Sequence, residues 1–553
     1  MVQTLTEAPG TAAEPTAHVD TFARDHLPPR EMWPVLDLST LPELGYPPRL
    51  NCAAELLDRM ADGEGGERTA ILWPGGRWSY RELLETANRI AHVLVEDLGV
   101  VPGNRVLLRG PNNPWMAACW FAVLKAGGIV VCTMPMLRRR ELKQMVEKAQ
   151  IALALTDARV GEEMEATLPD APVLKRVVRF NEGGAPGSLD AMMEGKPTTF
   201  RNVDTAADDV ALIAFTSGTT GQAKGTVHFH RDVLAICDCF PPHVLKASAS
   251  DVFCGSPPLA FTFGLGGILL FPLRIGAASL LLENGSPPHL LQGIHDHRAT
   301  VVFTAPTGYR AMLDQLDAYD ISSLRKCVSA GETLPQATYE AWLARTGIRI
   351  IDGIGSTEML HIFVSAADGD IRPGSTGRAV PGYRARVVDE NGAEVPPGTI
   401  GRLAVQGPTG CRYLDAPDRQ GAYVRDGWNY TGDAYVMDAD GYFWYQARSD
   451  DMIISAGYNI AGPEVENALL DHPCVMECGV VGVPDLDRGQ VVKAFVVLRE
   501  GVPATDETVK LLQDFVKQQI APYKYPRRIE FVDALPRTQT GKLQRFRLRE
   551  LES

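Results

Sequence analysis

Residues 78–132 read WSYRELLETANRIAHVLVEDLGVVPGNRVLLRGPNNPWMAACWFAVLKAGGIVVC, and the alternation inside this stretch sets the fold class. A short strand precedes Leu83, Leu84, Ala87, Ile90, Ala91 and Leu94, which recur at helical spacing and predict an amphipathic helix up to residue 99. Arg105 to Arg109 reads as a strand. Pro114 opens an apolar helix to Leu124, and Gly127-Gly128 stops it before a strand over Ile129 to Cys132. Strands alternating with helices in this way predict a mostly parallel α/β sheet covered on both faces. The same texture recurs at 151–155, 208–215, 300–305 and 349–354.

Near residue 380 the pattern changes. Residues 385–395 (ARVVDENGAEV) and 435–445 (YVMDADGYFWY) each place a predicted strand on either side of Asn391-Gly392 or Asp440-Gly441. Both dipeptides tolerate positive φ and favour tight hairpins, which predicts a β subdomain over about 380–449. The last hundred residues predict a compact α+β unit, with helices at 463–472 and 505–520 and strands at 475–483, 491–498 and 529–532. It is locally basic, with nine Lys or Arg against two acids over 517–549. A polar turn at Arg448-Ser449-Asp450-Asp451 marks the expected border. The expected organisation is therefore a disordered tail over 1–20, a large part over 21–449, and a small mobile domain over 450–553.

The chain has 553 residues, enough for three or four units at roughly 150 residues each. Its 54 Lys and Arg against 68 Asp and Glu leave a net charge of −14, which argues against a general nucleic-acid binder. Ten cysteines in this length are too sparse for a disulfide scaffold, and no C-x-x-C occurs. Reduced thiols in a cytosolic protein are expected. The N-terminus has neither a basic start nor an apolar core, so it does not read as a secretory signal. The longest apolar stretches, Trp115 to Cys132 and Leu265 to Leu282, are interrupted by Lys125 and Arg274. A soluble, cytoplasmic protein without membrane insertion is expected. His228 and His230 alternate as a strand would, but no third ligand accompanies them, so a metal pair is not assigned.

The strongest chemical signal is Phe215-Thr216-Ser217-Gly218-Thr219-Thr220-Gly221-Gln222-Ala223-Lys224-Gly225, which follows an apolar strand. Three glycines allow close backbone approach to an anion, four hydroxyls can donate to phosphate oxygens, and Lys224 adds charge. The segment fails the P-loop pattern because Lys224 precedes its glycine. Alone it could equally be a solvated Gly/Ser/Thr turn.

Residues 216–225 resemble the phosphate-binding signature of the adenylate-forming superfamily of acyl-CoA synthetases, luciferases and peptide-synthetase adenylation domains, with Ala223 in place of the usual proline. Five further segments resemble that family in its order: SAGETLP (329–335), DGIGSTE (352–358), GWNYTGD (427–433), ARSDDMIISAGYNI (447–460) and LPRTQTGKLQR (535–545). Together they span roughly residues 70–550. The resemblance implies two steps: a carboxylate attacks the α-phosphate of ATP to give an acyl-adenylate and pyrophosphate, and the thiol of CoA then displaces AMP. It places Gly331 and Glu332 against the adenine, together with Asp352, Gly353, Ile354, Gly355 and Ser356. Ile354 stands where many relatives carry an aromatic and offers an aliphatic face instead. Thr357 is implied to contact the α-phosphate and Glu358 to hold Mg²⁺. Asp433 is implied to accept the ribose hydroxyls, and Arg448 to reach the same region. Lys542 is implied to be the cation that bridges carboxylate and α-phosphate during adenylation. Asp450 matches the family's hinge, and Gly457 the glycine lining the thiol tunnel.

PPLAFTFGLGG (257–267) resembles the family segment that shapes the acyl pocket, with Thr262, Phe263 and Gly264 as its wall and floor. His361, three positions after Glu358, is expected on the same helix or loop face. HVDTFARDHLPPREMWP, SPPLAFTFGLGG and DGIGSTEMLHIF carry a finer resemblance to benzoate- and 2-aminobenzoate–CoA ligases. The expected partners are thus an aryl carboxylic acid, ATP, CoA and Mg²⁺, with no nucleic acid; any self-association is expected to be a homodimer. Medium-chain or branched fatty acids are the alternative substrate class. A carrier protein is the alternative acceptor. The joint presence of Thr357, Glu358, Asp433 and Lys542 argues against a non-enzymatic nucleotide-binding scaffold.

Overall fold

The computed structural model describes residues 15–217, 223–448, 451–455, 458–485, 488–520, 522–537 and 542–551. The contacts divide the chain into two units. One comprises Met1–Pro28, Leu41–Asp238 and Arg412–Ala416; the other comprises Pro29–Thr40, Cys239–Cys411 and Pro417–Ser553.

The first unit is built on a six-stranded sheet in the order Arg176–Phe180, Leu153–Asp157, Arg105–Arg109, Ile129–Thr133, Val210–Ser217, Ala223–Phe229. All neighbours run parallel except the last pair. The central strands are buried along their whole length, as parallel strands covered on both faces must be. The helix Tyr80–His92 starts at a capping box, with Ser79 accepting from the Glu82 N–H and Glu82 accepting from the Ser79 N–H. Asn113 caps Pro114–Lys125 by accepting from the Met116 N–H at 3.0 Å. Lys125 ends that helix fully buried; Asp58, 2.6 Å away, supplies the opposite charge that makes this tolerable.

Two expectations change in this unit. Residues 15–20 are not a loose tail. The Ala17 N–H and the Thr16 hydroxyl bond Asp209, while Asp20 accepts from Asn104 and pairs with Arg105. Also, His228 and His230 do not share a strand face. The strand ends at Phe229, and His230 begins the helix His230–Phe240, where its Nδ1 accepts from the Cys52 N–H at 3.2 Å.

The second unit holds seven strands in the order Arg378–Ala379, Ile362–Ser365, Ile350–Gly355, Lys326–Ala330, Val301–Thr304, Val252–Gly255, Ala278–Leu280. The five from Ile350–Gly355 to Ala278–Leu280 are parallel. The β subdomain is a five-stranded antiparallel sheet between Arg384 and Arg448. Its second expected hairpin forms, pairing Trp428–Met437 with Phe443–Arg448 around Gly441 at φ +80°. The first is short: Val388 and Glu394 form one antiparallel bridge, and the Val395 N–H bonds the Val387 carbonyl at 3.0 Å. Asp389 accepts from the Asn391 and Ala393 N–H groups, but the ladder partner of Arg384–Val388 is the later strand Ile400–Gln406.

The C-terminal part pairs Val475–Asp485 antiparallel with Gly489–Leu498, and Arg528–Phe531 parallel with the latter. Alternate side chains of Val475–Asp485 enter two cores. Cys478 and Val480 face Val465, Leu469, Leu512 and Val516, whereas Val481 and Val483 face Leu535 and Leu548. Both faces are covered, which explains the nearly continuous apolar run. By its contacts this C-terminal part groups with residues 239–411. No described helix is long and apolar enough to cross a membrane.

Candidate active site

The functional segments of the second unit leave the carboxyl ends of its parallel strands, where ligands gather in open α/β sheets. Lys326–Ala330 and Ile350–Gly355 are neighbours, with Ser329 opposite Asp352 and Ala330 opposite Gly353. Gly331–Glu332 and Ser356–Glu358 therefore emerge side by side. Gly331 turns the chain at φ +93°, a conformation that favours glycine.

Thr357 and Glu358 do not begin a helix. They lie at the tip of a hairpin between Ile350–Gly355 and the antiparallel strand Ile362–Ser365. Ser356 accepts from the Met359 N–H at 3.2 Å, the Leu360 N–H bonds the Thr357 carbonyl at 3.2 Å, and Leu360 takes φ +71°. On this turn Glu358 is half-buried and His361 is fully buried, and no helix face joins them. Asp352, Gly353, Ile354 and Gly355 line the strand below. Among the described residues the buried Asp352 Oδ1 has no hydrogen-bond partner, and burial pushes this carboxyl up to about 8.

The β subdomain contributes Asp433 and Arg448, directly opposed across one antiparallel pair. Arg448 donates to the Asp433 carboxylate at 3.2 Å and to the Thr431 carbonyl at 3.1 Å. Burial raises the Asp433 carboxyl, and Arg448, Thr431 and Lys542 oppose the rise. Lys542 also acts on Glu332, and a Cβ added to Gly331 would lie 3.8 Å from its Cε. Lys542, Gly331, Glu332 and Asp433 thus share one electrostatic neighbourhood. Tyr423, at the end of Pro417–Tyr423, joins it: its hydroxyl lies 3.4 Å from Ser356 Oγ, and its phenol is raised by burial, then by Glu358. No motif in the sequence marks Tyr423.

The residues expected around the acyl group also converge. Thr262, Phe263 and Gly264 form one short helical turn after the strand Val252–Gly255. His361 is 2% exposed and ringed by Phe271, Phe263, Phe240 and Phe303, with centroids 4.5, 5.7, 5.8 and 6.3 Å away. Among the described residues neither ring nitrogen has a hydrogen-bond partner of full geometry. Burial holds the imidazole down at about 3, the Phe263 main chain pulling weakly the other way, so it is neutral at physiological pH. Gly266 makes room for it, since a Cβ there would stand 2.5 Å from His361 Cδ2. Gly266→Ala is expected to displace the His361 ring and to lower the unfolding free energy by ~1–3 kcal/mol, the usual cost of overpacking. An unfolding midpoint in urea equal to that of the parent chain would refute this contact.

In the first unit, Thr216 and Ser217 end the strand Val210–Ser217 opposite Lys224 and Ala223. Lys224 Nζ lies 6.0 Å from the centroid of the Tyr413 ring. Gly218, Thr219, Thr220 and Gly221 lie outside the described residues, as do the hinge candidate Asp450 and the tunnel candidate Gly457.

The chain resembles known proteins over most of its length. A family model described as AMP-binding enzyme matches residues 57–412, and one described as AMP-binding enzyme C-terminal domain matches 464–542. The chain is 36% identical over 517 residues to the benzoate–CoA ligase of Thauera aromatica, covering 92% of this chain and 98% of that one. It is 34% identical over 534 residues to the mitochondrial acyl-coenzyme A synthetase ACSM3 of Mus musculus, covering 92% of each. Among solved structures, an anthranilate–CoA ligase in complex with anthranoyl-AMP superposes with a TM-score of 0.88 at 34% identity, covering 92% of this chain and 99% of that one.

Proposed function

The chain belongs to the AMP-binding enzyme family, and on that premise we propose that it is an ATP-dependent ligase that activates an aryl carboxylic acid of the benzoate or 2-aminobenzoate type as its adenylate, then transfers the acyl group to CoA. The observation that carries the aryl reading is the ring of four phenylalanines around a neutral, buried His361 beside the turn bearing Glu358. Flat apolar walls suit a flat ring. The likeness to benzoate– and anthranilate–CoA ligases supports the same class. The likeness to a mitochondrial acyl-coenzyme A synthetase keeps a fatty acid as the second reading.

The chemical difficulty of the first step is the approach of a carboxylate to a polyphosphate. In this reading Lys542 neutralises both as charge develops, Thr357 and the 216–225 segment with Lys224 donate to phosphate oxygens, and Asp433, steadied by Arg448, accepts the ribose hydroxyls. Gly331, Glu332 and Asp352–Ser356 border the adenine. Among the described residues no three His, Cys, Asp or Glu side chains form a metal cage. A single carboxylate at a hairpin tip, with nucleotide oxygens completing the shell, is nonetheless a donor set that suits Mg²⁺, and Glu358 would hold it. Bound there, the ion would screen the polyphosphate charge. For the second step Lys542 must withdraw and the thiol enter; in this reading the resemblance to the family supplies Asp450 as the hinge of a mobile 450–553 domain and Gly457 as the tunnel lining.

The test is carboxylate-dependent pyrophosphate exchange over a panel of benzoates and straight and branched fatty acids, followed by addition of CoA. Benzoates should exceed hexanoate and octanoate at least tenfold in kcat/KM, as expected when ring burial contributes about 1.4 kcal/mol or more. A preference for fatty acids would favour the second reading. Exchange without thioester from CoA would point to a carrier protein.

A further inference from the structure

We propose that Arg537 is a positioning residue that clamps the segment bearing Lys542 over the Gly331 turn; this rests on the reading of Lys542 given above. Arg537 and Leu543 form an antiparallel bridge, and the Gln544 N–H bonds the Pro536 carbonyl at 2.9 Å. The ends of the segment are therefore pinned together, with Lys542 next to the bridge. The Arg537 guanidinium reaches two carboxylates from different parts of the chain. Nη1 lies 3.4 Å from Glu332 Oε1, and Nη2 lies 3.0 Å from Glu477 Oε2. Glu332 directly follows Gly331, and Glu477 lies on the strand Val475–Asp485 of the C-terminal part. One planar fork thus ties that strand to the turn over which Lys542 sits.

Chemistry and geometry agree on this role. Glu332 and Glu477 repel one another, and a cation between them turns a repulsive approach into an attractive one. The Glu332 side chain is 18% exposed and that of Arg537 29%, so the pair is less screened than a surface contact. An arginine can serve two acceptors in a fixed plane, which a lysine ammonium cannot. When the guanidinium releases Glu332, this tie between the C-terminal strand and the Gly331 turn is lost. The clamp therefore belongs to the adenylating arrangement and should be dispensable once the adenylate exists.

The experiment uses the full chain with Arg537→Ala, Arg537→Lys, Glu477→Gln and Lys542→Ala. Each half-reaction is followed separately, by pyrophosphate exchange with the best acid of the panel and by thioester formation from its supplied adenylate and CoA. Arg537→Ala should slow exchange about 10- to 30-fold, since displacing a catalytic group by an ångström can cost up to 10²-fold, and leave the thioester half within twofold. Arg537→Lys should recover only part of the exchange, because one acceptor is lost. Glu477→Gln should slow exchange in the same direction, and it keeps the question open to test should Arg537→Ala misfold. Exchange unchanged in Arg537→Ala while Lys542→Ala abolishes it would overturn the clamp alone. Equal loss of both halves in Arg537→Ala would make the arginine a general stabiliser and also overturn it. Exchange unchanged in Lys542→Ala would overturn the reading beneath it, whatever Arg537 does.

Discussion

Lys542→Ala should slow acyl-adenylate formation by about 10²- to 10³-fold, the usual effect of removing one group that meets developing charge, while thioester formation from supplied adenylate and CoA stays within a few fold. The side chain is exposed as a residue, yet it influences both Glu332 and Asp433 and lies over Gly331. An exposed lysine has little structural work to lose, so its removal should leave the thermal midpoint unchanged. That separates a catalytic loss from an unfolding one. A glutamine at 542 should fare no better than alanine, because the function is charge and not hydrogen bonding alone. Parallel loss of both half-reactions, or exchange at wild-type rate, would each contradict the assignment.

The sheet architecture was largely legible because its cause is local. Pro114 after Asn113, the apolar run to Leu124 and the paired glycines at 127–128 each act within a turn of chain, and the helix and strand fall where they predict. The turn at Asp440-Gly441 is legible for the same reason. The chemistry of 352–358 could be located by resemblance, but its conformation could not. Ser356 followed by an acid reads equally well as a helix start or as a turn. The decision is made by Ile362–Ser365 returning beside Ile350–Gly355, a pairing that local preference does not contain. Tyr423 and Arg537 were missed for related reasons. A tyrosine near the end of a seven-residue helix carries no pattern, and its proximity to Ser356 and Glu358 depends on the tertiary fold. An arginine two residues after a leucine in a basic tail reads as solvated until Glu332 and Glu477 stand beside it.

Asp352 offers the second large effect, in stability as a function of pH. Its carboxyl is pushed up to about 8 by burial, with Ser329 and the Gly353 N–H opposing, against an ordinary value of 3.8 in the unfolded chain. Below pH 4 the group is protonated in both states and its contribution to stability is fully present. Between pH 4 and 8 the unfolded chain ionises while the folded one keeps its proton, so stability falls as pH rises. Above 8 both are ionised and the loss is complete. At about 1.4 kcal/mol per unit the whole shift corresponds to at most roughly 6 kcal/mol; because the residue is partly open to the site, screening should reduce this to about 2–3 kcal/mol. Asp352→Asn keeps the shape and removes the titration. Its unfolding free energy in urea, relative to the parent chain, should therefore climb by that amount from pH 4 to 8.5. The comparison is a difference between two chains, so the other carboxylates, including Asp209 and Asp251 whose lowered values give the opposite slope, cancel. A difference that stays flat across this range would mean that Asp352 ionises like an exposed carboxylate, and that solvent reaches the floor of the strand on which Thr357 and Glu358 are mounted.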